Sequence, residues 1–204
     1  MTDLLAGLFG STARVRVLRL FCFNEDATFT AAQVAQRTQC SPQHVRRELR
    51  MLQRIGMITS KSVRGARHKV YQTQKDFPLL DDITTLLSRA TVTTECATLK
   101  RVSTIGEVHL ALASGIFLNY TKARADLFIV ANAVSRARLQ RFITALEAEV
   151  GREVRYVLMN MEEYKYRMNM TDRFLRDFLH APYDEVVNTI PHFKRALRSL
   201  ARRS

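Results

Sequence analysis

Residues 30–73 read TAAQVAQRTQCSPQHVRRELRMLQRIGMITSKSVRGARHKVYQT, and this stretch decides the fold of the first half of the chain. Thr30 is placed to N-cap a short helix whose Ala31, Val34 and Ala35 share one face at i, i+3 and i+4. Gln39 and Cys40 make a turn. Ser41-Pro42 then restarts a helix, with Ser as the cap and Pro at the first position, where a missing N–H costs nothing. In this second helix Val45, Leu49 and Leu52 fall at i, i+4 and i+7, with Ile55 extending the apolar stripe. The opposite face carries Gln43, His44, Arg46, Arg47, Arg50 and Arg54, with only Glu48 opposing the arginines. Gly56 supplies the positive φ that ends the helix.

Two extended runs follow, 57–63 and 67–72, joined around Gly65, which reads as a hairpin. Helix, tight turn, basic helix and basic hairpin together make the pattern of a winged helix-turn-helix. An amphipathic helix of this kind buries its stripe while offering a basic face to the major groove. A charge run on a helix is ordinarily a solvated face. Four arginines without a lysine point further, because Arg reads guanine bidentately and grips phosphate as a fork. The candidate DNA contacts are Ser41, Gln43, His44, Arg46, Arg47 and Arg50 on the helix, with Lys61, Arg64, Arg67, His68 and Lys69 on the hairpin. A lone winged helix reads few base pairs, so a homodimer on a palindromic duplex site is expected.

The charge of the 204-residue chain, +13 overall, is uneven: +9 over residues 1–75, −1 over 76–193 and +5 over 194–204. That asymmetry predicts a polyanion partner for one domain only. Cys22, Cys40 and Cys96 show no paired or metal-type spacing, and the five histidines are scattered singly. Neither a disulfide framework nor a metal site is expected, and no cofactor is called for. The N-terminus lacks a basic n-region and no apolar run approaches membrane-spanning length, so a cytoplasmic protein with no membrane partner is expected.

Upstream, 2–9 is a short apolar helix. Ser11 or Thr12 caps the next, in which Val15, Leu18 and Phe21 or Cys22 are expected inside and Arg14, Arg16 and Arg19 outside. Phe29 is read as a hydrophobic staple before the Thr30 cap. Downstream, Pro78 breaks the pattern and 79–87 is a linker helix whose Leu79, Leu80, Ile83, Leu86 and Leu87 pack on a dimer mate or a neighbouring domain. Residues 91–98, with four threonines, form a loop or extended segment. From Leu99 strands and helices alternate. Strands are expected at 108–113, 127–130 and 154–159, with helices at 136–150 (capped by Ser135), 162–168 and 172–179 (capped by Thr171), giving an α/β domain on a small mixed sheet.

On LFGSTARVRVLRLF (8–21), SPQHVRRELRMLQRIGMI (41–58) and KDFPLLDDITTLL (75–87), the N-terminal half resembles an ArsR-like winged helix. On LALASG (110–115), ADLFIV (125–130), LEAEVGREVRYVLMNMEEYKYRM (146–168) and DRFLRDFL (172–179), the C-terminal half resembles a minimal nucleotidyltransferase-like domain. The resemblance implies a Gly-Ser turn cradling nucleotide phosphates and an Asp-x-Asp pair holding magnesium, since two metal ions must neutralise a triphosphate. Here the turn is Ser114-Gly115, in reverse order, and the pair is Arg124-Ala125-Asp126, which keeps only the second carboxylate. The strand of the third carboxylate shows Arg155 or Tyr156. Catalysis by the family mechanism is therefore expected to be lost, with no catalytic or metal-binding residue. Asp126 reads as a strand-opening Asp that hydrogen-bonds the preceding loop, since one carboxylate seldom holds hydrated magnesium alone. Ser114, Gly115, Lys122, Arg124 and Asp126 form a candidate anion or nucleotide site.

The expected architecture is a two-domain α+β chain: a winged helix at 1–75, a linker helix and connector at 76–98, a degenerate nucleotidyltransferase-like domain at 99–190 and a basic tail at 191–204. The tail either touches phosphates or packs as a helix on the body. The expected function is sequence-specific binding of double-stranded DNA by a dimeric transcriptional regulator that is not an enzyme, its C-terminal domain taking a nucleotide or protein ligand. An active nucleotidyltransferase directed by its winged helix, or a protein-interaction module, are the other classes.

Overall fold

The computed structural model describes residues 4–62, 68–90, 96–191 and 193, and its elements are mixed α and β. The chain divides into two compact units, one of Met1–Ala90 with Thr144–Glu153, the other of Thr91–Ile143 with Val154–Ser204. The expected hairpin tip with Arg64, Gly65 and Arg67, most of the 91–98 loop, and the 194–204 tail lie outside the described residues. Among the described residues no helix is long and apolar enough to cross a membrane.

The first unit runs α1 (Leu4–Phe9), α2 (Thr12–Cys22), β1 (Phe29–Thr30), α3 (Ala31–Thr38), α4 (Pro42–Arg54), β2 (Ile58–Ser62), β3 (Lys69–Thr73) and α5 (Leu80–Arg89). Its helix starts follow local chemistry. Ser11 Oγ accepts from Arg14 N at 3.3 Å, and Thr30 and Gln33 form a reciprocal capping box. Ser41 caps α4 with Pro42 in its first turn. Such caps contribute about 1 kcal/mol each. Between α3 and α4 the chain reverses through Gln39 at φ 51°. Val15, Phe21, Val34, Val45, Leu49 and Leu52 meet in one core.

Two expectations, for Ile55 and Arg19, are corrected here, and two others are made more specific. Phe29 is a strand residue, paired with Tyr71 and in edge contact with Phe21 (centroids 5.8 Å apart), because β1 adds a third strand in the order β1-β3-β2. Ile55 leaves the stripe: it is the C-cap of α4 and 48% exposed, the helix having ended one residue earlier. Arg19 is buried rather than outward-facing, because α2 is central and packs against α1, α3, α4 and α5. Its guanidinium donates to Glu149 O at 2.7 Å and to Ala90 O at 3.4 Å, so its charge is met by carbonyls. Of the linker-helix leucines, Leu80 and Leu87 are buried while Leu79 and Leu86 are exposed.

In the second unit, β4 (Glu107–Ala113), β5 (Leu127–Asn132), α6 (Arg136–Val150), β6 (Tyr156–Met159), α7 (Met161–Asn169), α8 (Arg173–His180) and β7 (Asp184–Asn188) follow one another, the last turns of α6 belonging to the first unit. The sheet order is β6-β5-β4-β7, with β5 and β6 parallel and the other pairs antiparallel. Phe128 centres the core, with Phe178, Tyr164 and Phe174 rings at 5.4, 6.4 and 6.4 Å. The cap of α8 is Asp172, which accepts from Leu175 N; Thr171 instead takes the left-handed conformation at φ 53°. The strand β7 is absent from the sequence reading, since DEVVN offers two apolar residues and no alternation.

Candidate nucleic-acid interface

Helix α4 turns two faces to two solvents. Val45, Leu49 and Leu52 are buried, while Ser41, Gln43, His44, Arg46, Arg47, Arg50 and Arg54 are exposed. The Ser41 hydroxyl lies 2.9 Å from His44 Nδ1, which holds the imidazole against the helix cap. Arg50 Nε donates to Arg46 O at 3.3 Å, holding the root of its guanidinium along the helix.

The only acidic residue of α4 is turned away from these arginines. Glu48 is 4% exposed and engaged by Arg14 of α2, Nε to Oε2 at 2.8 Å with a second contact to Oε1 at 3.5 Å. Arg14 also donates to Phe9 O at 3.0 Å. The ion pair ties α2 to α4 and leaves the outward face of α4 without a carboxylate. At the far end, Gln53 Nε2 donates to Ser60 Oγ at 3.0 Å, joining α4 to β2.

The hairpin is in register from Ile58 opposite Thr73 to Ser62 opposite Lys69. Lys61, His68 and Lys69 are exposed on its outer end. Arg64 and Arg67, expected on the same wing, lie outside the described residues.

A cleft of about 380 Å³ opens beside α4, lined by Arg14, Arg47, Arg50, Met51 and Arg54. Arg47 and Arg50 are among the expected contacts, Arg54 is expected on the same basic face without being numbered among them, and Arg14 is expected at solvent. The 47, 50, 54 spacing was the available signal for Arg54, since i, i+3 and i+7 share a helix face. No local pattern announces Arg14, which reaches the cleft only through tertiary packing.

In the second unit, Ser114, Gly115 and Asp126 do meet, but as a closed corner. Ser114 is fully buried and its hydroxyl donates to Pro182 O at 2.6 Å. The Asp126 carboxylate, also fully buried, accepts from Ile116 N at 3.1 Å and from Arg155 N at 3.0 Å. It takes two further bonds from the Arg155 side chain, 3.0 Å from Nε and 2.9 Å from the terminal nitrogen. These hydrogen bonds to Asp126 raise the Arg155 pKa. Gly115 sits at φ +53°, and a Cβ there would overlap Asp126 Oδ1. The glycine thus admits a carboxylate from within the chain, not a phosphate from outside. Arg124 pairs with Asp177 at 2.6 Å, while Lys122 is exposed. Of the residues expected to form an anion site, Ser114, Arg124 and Asp126 thus have internal partners. Among the described residues no group of three or more His, Cys, Asp or Glu side chains is placed to hold a metal ion.

Comparison of the chain with protein-family models, with curated proteins and with solved structures gives no match.

Proposed function

We propose that the chain is a transcriptional regulator whose first unit, a winged helix-turn-helix, binds duplex DNA in a sequence-dependent way. One observation carries the reading: α4 presents Gln43, His44, Arg46, Arg47, Arg50 and Arg54 to solvent while its one carboxylate, Glu48, is drawn inward by Arg14. A face cleared of negative charge suits the major groove, where Arg and Gln reach base edges and phosphate oxygens. Lys61, His68 and Lys69 would rest on the flanking backbone. Leu4, Leu8, Leu79 and Leu86 are exposed, and we assign the dimer contact to surfaces of this kind.

The second unit then serves as an interaction or sensing module rather than as a transferase. The commitment of Asp126 to Arg155 supports this, because a carboxylate with four protein donors has little left to offer a metal ion. The test is fluorescence anisotropy on genomic-fragment and random duplexes at several salt concentrations, with Arg46→Ala and Arg50→Ala. Tight, sequence-dependent binding lost in both variants is the expected result. Weak binding, uniform across sequences and untouched by either substitution, would remove the reading.

A further inference from the structure

The cleft beside α4 gathers four guanidinium groups, of which one is neutralised. Arg14 is held by Glu48 and by Phe9 O. Arg47, Arg50 and Arg54 are exposed, and among the described residues none of the three has a carboxylate partner. Three like charges on one concavity repel one another, and an anion seated among them relieves that repulsion. The lining selects among anions. Planar guanidinium forks match the oxygens of a phosphoryl group better than a simple halide, and several forks together exceed what one carboxylate can accept. Among the described lining residues Met51 is the apolar one and none is aromatic, so these residues offer a nucleobase no stacking surface.

We propose that this cleft is a phosphate site, in which Arg47, Arg50 and Arg54 take the oxygens of a phosphoryl group and Arg14, pinned by Glu48, walls it. The inference deepens the DNA-binding reading and rests on it for one source of that group, the duplex backbone; a free polyphosphate shares the same chemistry. It divides α4 between Gln43, His44 and Arg46, which read bases, and Arg47, Arg50 and Arg54, which grip backbone.

The test has two arms, both on the full chain, with Arg54→Ala as the variant because Arg54 is exposed and has no ion pair among the described residues. The first follows duplex affinity against salt. Arg54→Ala is expected to weaken all sequences alike and to lower the slope of log K against log salt by about 1. The second adds inorganic pyrophosphate and follows Tm, which is expected to rise for the unmodified chain and not for Arg54→Ala. A changed slope without a pyrophosphate shift supports the site with the duplex as its source. A pyrophosphate shift lost in Arg54→Ala, in a chain that binds no duplex, supports the site while the DNA reading falls. Duplex binding with an unchanged slope and no pyrophosphate shift overturns the site and leaves the DNA reading standing. Absence of both duplex binding and pyrophosphate shift overturns both.

Discussion

Arg155 closes on Asp126 through two side-chain hydrogen bonds, and its own backbone N–H adds a third to the same carboxylate. The two residues bear the charge unequally: the aspartate side chain is 1% exposed and the arginine 55%. Removing one partner of a buried pair costs about 3 kcal/mol where the survivor is stranded in a dry site. Asp126→Ala deletes the acceptor of four bonds, and it is expected to destabilise the second unit by about that amount. Arg155→Ala leaves the backbone donors in place and lets water reach the carboxylate, so about 1 kcal/mol is expected. Urea unfolding of the two variants measures the difference. Equal costs would mean that the ion pair, not the buried acceptor, holds this corner.

Gly56 and Gly151 share φ +80° but differ in surroundings, which makes them a matched pair. At Gly56 a Cβ meets nothing within 4 Å, so Gly56→Ala carries only the backbone strain, about 1 kcal/mol. At Gly151 the Cβ would stand 2.5 Å from Arg19 Cβ and 2.9 Å from Arg19 O. Gly151 O also accepts from Asn24 Nδ2 at 2.8 Å, and Arg152 lies over the Phe23 ring at 4.2 Å. Gly151→Ala must displace this packing, and roughly 3 kcal/mol is expected from strain and overpacking together. Guanidinium unfolding reads both. Gly151→Ala behaving like Gly56→Ala would mean that the 144–153 segment yields easily.

Those contrasts mark where the sequence was legible. Thr30, Ser41, Pro42 and Gly56 announce the boundaries of α3 and α4 because capping is local chemistry. The buried Val45, Leu49 and Leu52 follow from a 3.6-residue period. Arg19 and Arg14 did not follow, since a periodicity argument sends every charged residue to solvent. It cannot foresee carbonyls from Glu149 and Ala90, or a buried Glu48, arriving from elsewhere in the chain. Asp126 is legible as a strand-opening structural residue, but its partner Arg155 lies 29 residues away, beyond the reach of any local pattern.

Burial pushes the Cys22 thiol up to about 12 from an ordinary value of 9.0. A group whose folded pKa is raised contributes stability that is fully present below its unfolded pKa and is lost as pH climbs toward the folded one. Stability is therefore expected to be independent of Cys22 up to about pH 9 and to fall from there toward pH 12. At pH 8 Cys22 stays a thiol within the core, whereas Cys40 is half-buried. Alkylation with iodoacetamide followed by peptide mass mapping should modify Cys40 first and leave Cys22 intact until the chain unfolds. Early labelling of Cys22 in the native chain would show that the α2–α5 packing opens readily.

Glu48 and Arg14 offer the sharpest separation of stability from binding. The glutamate side chain is 5% exposed and the arginine 29%, so Arg14→Ala strands a buried carboxylate and is expected to cost about 3 kcal/mol. Replacing both at once, Arg14→Met with Glu48→Leu, removes the buried charge as well as its partner. The double variant should recover most of the loss, a coupling of more than 1 kcal/mol in a double-mutant cycle. Its net charge equals that of the unmodified chain, and Arg47, Arg50 and Arg54 keep their places on α4. Duplex affinity in the double variant is then expected to stay within about threefold of the unmodified chain, less than 1 kcal/mol, while Glu48→Gln, which removes a negative charge and leaves Arg14 unneutralised beside the cleft, should tighten binding at low salt and lose that gain as salt rises. Affinity that instead tracks stability across the set would place the role of Arg14 in building α4, with no separate electrostatic contribution from the cleft.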